Sequence, residues 1–211
     1  MAELKVGRIT LGMCQTNFYF IYREGAKEVI AIDPADRGAY LYEKLKENGF
    51  SVEAILLTHG HFDHIWGVEE LKELSGAKVY AYEGERKLLG NAGMNVSKGA
   101  GRPVTLTADE FLTDNQEVCI ADMRVKVLAT PGHTEGSCCY FFEEAAILIS
   151  GDTLFEESVG RTDLPTGNYS ELIRSVTEKL MPLPDHTKVY PGHGDQTTIA
   201  HERDYNPFLV M

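Results

Sequence analysis

Three of the seven histidines fall inside the run His59-Gly60-His61-Phe62-Asp63-His64. In extended backbone the side chains at i and i+2 point the same way, so the imidazoles of His59 and His61 can reach one ion. Asp63 and His64 follow where the chain turns into a helix, and can face a neighbouring position. Imidazole and carboxylate together suit zinc, manganese or iron(II). A His-rich polar loop without a metal would serve no packing purpose. Three further candidates sit at strand ends beside Gly or Pro. They are His133 in Thr130-Pro131-Gly132-His133-Thr134, Asp152 in Ser150-Gly151-Asp152-Thr153, and His193 in Pro191-Gly192-His193-Gly194. Each alone could be a turn residue bonding its own backbone. Taken with the first cluster they form a ligand set, in which the two oxygens of Asp152 could bridge two cations. A bound cation lowers the pKa of water from ~15.7 to near ~7 and polarises a scissile carbonyl, so no Ser or Cys nucleophile is needed.

The elements that must carry these residues are short. Asn17–Tyr22 and Glu28–Ile32 read as strands, and Asp36 to Asn48 has helical spacing through Tyr40, Leu41 and Leu45, stopped by Gly49. Ala54–Leu57 is a buried strand that runs into Thr58 and the histidine cluster. Ile65 to Leu74 has helical periodicity, and Lys78–Tyr82 is the next strand. After a Gly-rich irregular segment from Gly90 to Pro103 come strands at Gln116–Ile120, Arg124–Ala129, Cys138–Glu143 and Ala145–Ser150. Asn168 to Met181 reads as a helix capped by Asn168 or Ser170 and stopped at Pro182, and Lys188–Tyr190 as a last strand. Two packed sheets with helices outside satisfy this order, with residues 1–211 as one domain.

Composition narrows the function. At 211 residues and 43% hydrophobic, the chain can bury one substantial core. Its formal charge of -12 argues against nucleic acid or an anionic membrane as partner, since both reward a positive surface. No apolar run is long enough to span a bilayer, and the N-terminus lacks the basic and apolar regions of a secretory signal. The four cysteines, Cys14, Cys119, Cys138 and Cys139, form no CxxC motif and no disulfide framework, which fits the cytoplasm. Gly99-Ala100-Gly101-Arg102 lacks the phosphate-loop pattern and reads as a loop near the cleft. His186 and His201 read as surface residues. The oligomeric state is not legible.

The combination T-H-G-H-F-D-H, a lone His in P-G-H-T, an Asp in G-D-T-L-F and a His in P-G-H-G resembles the metallo-β-lactamase superfamily across nearly the whole chain. The resemblance implies an α+β fold, a four-layer αββα sandwich with the site at one edge between the sheets. It implies His59, His61 and His133 on one divalent metal ion and Asp63, His64 and His193 on a second, with Asp152 and a hydroxide bridging them. Zinc, iron and manganese all suit such a set. Asp63 could also act as general base if one position is weakly filled. Asp33, at a strand end, matches a position expected to hydrogen-bond to a ligand rather than to bind metal.

Within the superfamily, Asp152 and His64 stand where one common β-lactamase class has Cys and Arg. Together with Gly160-Arg161-Thr162-Asp163-Leu164-Pro165 and Asn206-Pro207-Phe208-Leu209, they resemble the short, YcbL-like bacterial members of the glyoxalase II group. That resemblance implies a hydroxyacylglutathione hydrolase-like thioesterase acting on a small acyl thioester. Only 18 residues follow His193, whereas two-domain glyoxalase II adds a C-terminal helical domain for glutathione, so a different thiol carrier is open. Arg161 would bind a substrate carboxylate or pair with an Asp. The same Gly-Arg-Thr-Asp segment also resembles persulfide dioxygenases of this fold, with one iron on two His and one Asp. A nuclease would want a basic surface. A non-catalytic binding protein would be expected to have lost ligands, and here none of the seven positions is missing.

Overall fold

Stretches rich in β-branched and aromatic residues pair into two six-stranded sheets in the computed structural model, which describes residues 2–209. The first sheet runs in chain order from β1 (Leu4–Leu11) through β2 (Thr16–Arg23), β3 (Glu28–Ile32), β4 (Ser51–Leu57) and β5 (Lys78–Tyr82) to β6 (Glu110–Leu112). Its first three strands are antiparallel, and β3 to β6 are parallel. The helices α1 (Gly38–Glu47), α2 (Phe62–Ile65), α3 (Val68–Ser75) and α4 (Arg86–Leu89) lie in its connections.

The second sheet contains β7 (Glu117–Ile120), β8 (Met123–Ala129), β9 (Cys138–Phe142), β10 (Ile147–Gly151), β13 (Lys188–Pro191) and β14 (Thr197–Thr198). Its order is β14-β13-β10-β9-β8-β7, and β10 pairs with β13 in parallel. A small hairpin of β11 (Leu154–Phe155) and β12 (Ser158–Val159) stands apart. The helices α5 (Tyr169–Ser175) and α6 (Ile199–Tyr205) complete the order, with a π-helical turn over Val176–Leu180 extending α5.

Burial produces four layers. Leu41 and Leu45 of α1 and Val68 and Leu71 of α3 cover Val29, Ala31, Ile55 and Leu57 on the outer face of the first sheet. The opposite faces of the same strands, Ile30, Ile32, Ala54 and Leu56, pack on Val125, Val127, Tyr140 and Phe142 of the second sheet. Outside that sheet, Cys139, Phe141 and Leu148 meet Val176, Leu180 and Ile199. This is the αββα sandwich. Every residue of β9 is buried, as a strand covered on both faces requires, and Cys138 and Cys139 point into different layers.

Several elements depart from the sequence reading. The helix expected over Ile65–Leu74 is broken at Trp66-Gly67. Gly67 donates to the Pro34 carbonyl at 2.8 Å, and a Cβ there would lie 2.8 Å from that same oxygen. The chain passes too close to the loop after β3 for a side chain or a continuous helix. The strand expected to start at Ala145 begins at Ile147, after a 3-10 turn over Glu143–Ala145. β1, β6 and α6 were not read from sequence. β1 has mostly half-buried side chains, and α6 buries only Ile199 and Glu202, so their apolar signals are weak. His201, expected at the surface, lies on α6 with its side chain partly exposed and 3.0 Å from the exposed Glu157, in keeping with that reading.

Candidate metal centre

All of the ligand candidates lie just past the carboxyl ends of strands that emerge at one edge of the sandwich. β4 runs into His59, and the turn into α2 presents His61, Asp63 and His64. β8 leads to His133, β10 to Asp152 and β13 to His193. A register shift between Ile149 and Gly151 breaks the β10–β13 ladder immediately before Asp152. Such irregularities re-aim a side chain. Asn17 ties the β13 loop to β2, donating from its side chain to the carbonyls of Pro191 and Gly194 at 3.1 and 2.9 Å. The neighbouring Gly192 has no room for a side chain, since a Cβ would lie 2.2 Å from Asp152 Oδ1 and 2.7 Å from His64 Cε1.

Two groups of donors result. His59, His61 and His133 converge, as do Asp63, His64 and His193. Asp152 lies between them, with Oδ2 at 3.6 Å from His133 Nε2 and 3.4 Å from His193 Nε2, and Oδ1 at 3.4 Å from His64 Nε2. Outer hydrogen bonds set the imidazole orientations. His133 Nδ1 donates to the Arg161 carbonyl at 2.7 Å, and His193 Nδ1 to the Cys14 carbonyl at 3.1 Å. Thr58 donates its hydroxyl to Asp33 at 2.6 Å, leaving its oxygen to accept from His59 Nδ1 at 3.2 Å. His64 Nδ1 meets Asp33 Oδ2 at 2.9 Å. In all four rings Nε2 is thereby turned inward. His61 presents Nδ1 instead, 2.9 Å from His133 Nε2.

A buried polar atom without a partner is unfavourable. His59 Nε2, His61 Nε2, His64 Nε2 and Asp152 Oδ1 are buried with none. Together with His61 Nδ1, the unpaired Nε2 atoms of His59 and His64 and the carboxylate oxygens are a donor set that divalent transition metals take, so the residues fit a metal centre. Asp33 also lies within reach of an ion shared with His59 and His64. Its oxygens, however, already accept from Thr58 N, Thr58 Oγ1 and His64 Nδ1. That makes it the hydrogen-bonding neighbour expected from sequence.

The metal-free electrostatics show what a cation would replace. Burial, reinforced by His64 and His133, pushes His59 well below the usual imidazole range. Burial and His133 bring His61 down to about 3. His64 and His193 go the other way. Burial opposes their cations, but Asp152, Asp63 and Asp33 hold His64 well above its ordinary value. Hydrogen bonds to Asp152 and Asp63 raise His193 to about 9 against the same opposition. Burial would raise Asp63, yet His64 and His193 outweigh it and hold the carboxyl down to about 2. His64 and His193 thus face the carboxyl groups of Asp33, Asp63 and Asp152 at 2.9–3.8 Å.

Two supporting residues had no sequence signal. Thr16 donates to Asp63 Oδ2 at 2.9 Å. Glu85, in a 3-10 turn after β5, is fully buried and accepts from Gly60 N at 2.7 Å and from the Thr134 hydroxyl at 3.0 Å. It therefore ties the turn between His59 and His61 to the residue after His133. Burial raises its carboxyl to about 7 against those bonds. Arg161 reaches the rim of a pocket of about 410 Å³ that also exposes His61, Asp63, His133, Asp152 and His193. There its guanidinium makes two 2.7 Å bonds to Asp163, so the expected Asp pairing is present in a position that also faces the site.

Comparison with known proteins shows the family. A sequence model described as Metallo-beta-lactamase superfamily matches residues 11–193. "Probable metallo-hydrolase YqgX" of Bacillus subtilis is 39% identical, covering 98% of each chain. "Hydroxyacylglutathione hydrolase GloC" of Haemophilus influenzae is 35% identical over 87% of this chain and 88% of its own. Among solved structures, the BLEG-1 B3 metallo-beta-lactamase superposes with a TM-score of 0.93 at 40% identity, covering 98% of this chain and all of that one. A di-iron-bound form of TTHA1623 gives 0.85 at 33%, covering 96% and 100%. ETHE1 from Myxococcus xanthus gives 0.76 at 29%, covering 96% and 83%.

Proposed function

The chain belongs to the metallo-beta-lactamase superfamily, and from that premise we propose that it is a metal-dependent hydrolase of small acyl thioesters, of the hydroxyacylglutathione hydrolase kind. The observation that carries this reading is the pair of three-donor groups meeting at Asp152, with the outer bonds orienting the rings. The 35% identity to GloC supports thioesters as the substrate class. We assign His59, His61 and His133 to one ion, Asp63, His64 and His193 to a second, and Asp152 to both. Zinc is our choice of metal, although a di-iron relative exists. Divalent cations held there acidify water and polarise a carbonyl.

The protein's own groups do the rest. Were the second position unfilled, Asp63 Oδ2, steadied by Thr16 and 3.3 Å from His193 Nε2, would be placed to take a proton from the attacking water. Phe62, Val96, Phe155 and Leu164 wall the pocket and limit competing water. Arg161 offers a planar fork to a carboxylate on the thiol carrier once it leaves Asp163. The two sheets share one core, which supports residues 1–211 as one hydrolase domain. No helix among the described residues is long and apolar enough to cross a membrane, and all four cysteines are free, which fits a cytoplasmic setting.

A second reading has its own support. The ETHE1 neighbour and the Gly160–Asp163 segment favour an iron-dependent persulfide dioxygenase. Elemental analysis of the purified protein, coupled to assays with S-lactoylglutathione, a low-molecular-weight persulfide and a cephalosporin, separates these readings. We expect two metal equivalents and thioester cleavage without oxygen uptake. One iron per chain, oxygen uptake with the persulfide and an intact thioester would overturn the proposal. Cephalosporin turnover alone would place the activity with that of BLEG-1.

A further inference from the structure

One residue lining the pocket beside the candidate ligands is strained. Val96 has φ of 67°, in the left-handed region that a β-branched side chain rarely enters. The irregular segment around it is nonetheless tightly held. Asn95 and Ser97 on either side are fully buried. Asn95 donates its side-chain amide to the Val104 carbonyl at 2.9 Å and accepts from Ser97 N at 3.0 Å. Ser97 Oγ in turn accepts from Val104 N at 3.0 Å. The Asn95 carbonyl receives Phe62 N at 3.0 Å, so the strained residue is fastened directly to the turn that carries His61 and Asp63. Strain persists where surrounding structure over-determines it, and it clusters where a side chain must be aimed. Val96 lines the pocket together with Phe62 and the candidate ligands His61 and Asp63.

The lining of this pocket is mixed in chemistry: Arg161 is its only Arg or Lys, whereas Phe62, Val96, Phe155 and Leu164 are apolar. A polar, anionic thiol carrier is matched by the guanidinium side. That leaves the apolar lining, Phe62 and Val96 included, for the acyl group. We infer that Val96 is a specificity-determining residue that restricts the enzyme to short acyl groups, its branched side chain excluding longer chains from the Phe62 wall. This inference deepens the thioesterase reading and rests on it for the identity of the substrate. The size limit itself is a property of the pocket and is measurable by binding alone.

The test compares the metal-loaded wild type with Val96→Gly and Val96→Leu. Glycine accepts this φ without strain, and leucine adds bulk. Two series are measured: kcat/KM for acetyl, butanoyl and hexanoyl thioesters of glutathione, and dissociation constants for the corresponding carboxylates. Metal content and circular dichroism confirm that each variant is loaded and folded. One added or missing methylene in a pocket is worth about tenfold or more. We therefore expect Val96→Gly to raise the hexanoyl-to-acetyl ratio by at least about tenfold, and Val96→Leu to lower the butanoyl-to-acetyl ratio by a similar factor. Carboxylate affinities should move in parallel. Superimposable chain-length profiles in all three proteins would overturn the inference while leaving the thioesterase reading intact. If the wild type cleaves no thioester yet hexanoate binds Val96→Gly more tightly than wild type, the thioesterase reading fails and the size limit stands. Should Val96→Gly lose metal or fold, the Val96→Leu profile decides alone, and no loss of butanoyl preference there overturns the inference.

Discussion

His133 shows how much of this site depends on atoms that are not side chains. Its Nδ1 is held by the carbonyl of Arg161 at 2.7 Å, so one residue offers its backbone to a ligand and its guanidinium to the rim. Replacing Arg161 with alanine removes only the second role. The guanidinium is well exposed and paired with Asp163, so its loss should leave the fold intact. A charge-assisted hydrogen bond to substrate contributes about 1.5–3 kcal/mol. Arg161→Ala should therefore raise the KM for an acidic thioester about tenfold or more relative to an uncharged one. Steady-state kinetics on the pair checks this, and equal changes would leave Arg161 only its partner Asp163. Glu85 makes the complementary case. Gln has the same shape but turns one accepting oxygen into a donor, which opposes Gly60 N–H or the Thr134 hydroxyl. Glu85→Gln should weaken metal affinity about tenfold or more, the range seen when outer partners of ligands are removed. Competition with a chelator measures it, and unchanged affinity would make Glu85 a support of the fold alone.

The elements that matter most at the site are the turns. β10 and β13 run side by side and deliver Asp152 and His193 to one place, yet only because Gly192 lets the β13 loop press against Asp152. A methyl group at that position must push either Asp152 or His64 aside. Overpacking of this kind destabilises by about 1–3 kcal/mol. The displaced groups belong to the second donor group and to the bridging position. Gly192→Ala is therefore expected to lose the ion of the Asp63–His64–His193 group before that of the three histidines. Elemental analysis across a dialysis series would show this, and simultaneous loss of both ions would contradict it. The helix break at Gly67 follows the same logic, because the approach of the Pro34 carbonyl is invisible in local periodicity.

Across the whole molecule, the site joins two sheets that also meet through an apolar core and through polar bonds such as Tyr140 Oη to the Leu57 carbonyl and Tyr19 Oη to the Pro191 carbonyl, each at 2.8 Å. At the site edge His64 and His193 face the carboxyl groups of Asp33, Asp63 and Asp152. His193 has a folded pKa of about 9, above its ordinary value of 6.5. Its contribution is fully present below the lower value and is lost as pH rises through the higher one. Glu85 is also raised, from 4.5 to about 7, so its contribution fades over that earlier interval. The metal-free protein should thus melt at progressively lower temperature as pH rises from neutral to 9. Metal loading should run the other way, since ions displace the His193 and His64 protons. Apparent affinity then rises about tenfold per pH unit for each proton displaced, up to about pH 9. Calorimetry of chelated and loaded protein from pH 6 to 9.5 tests both slopes. A metal-free melting temperature that climbs with pH would refute the charge assignment.

The residue types, their order along the chain and the apolar alternation of the central strands are local properties, so the His59–His64 cluster was legible as a ligand candidate from spacing, and Asp152 and His193 as candidates from their place beside Gly or Pro. The same holds for β3 and β5, whose observed bounds match the pattern reading. What local pattern could not carry was anything set by an approach from a distant part of the chain. Thr16 on Asp63, Glu85 across Gly60 and Thr134, and the Arg161 carbonyl on His133 are contacts between segments far apart in sequence. None leaves a periodic trace. The tautomers of the ligands, the placement of Val96 and the necessity of Gly192 come from those contacts, because a folded edge is where distant turns are forced into the same few ångströms.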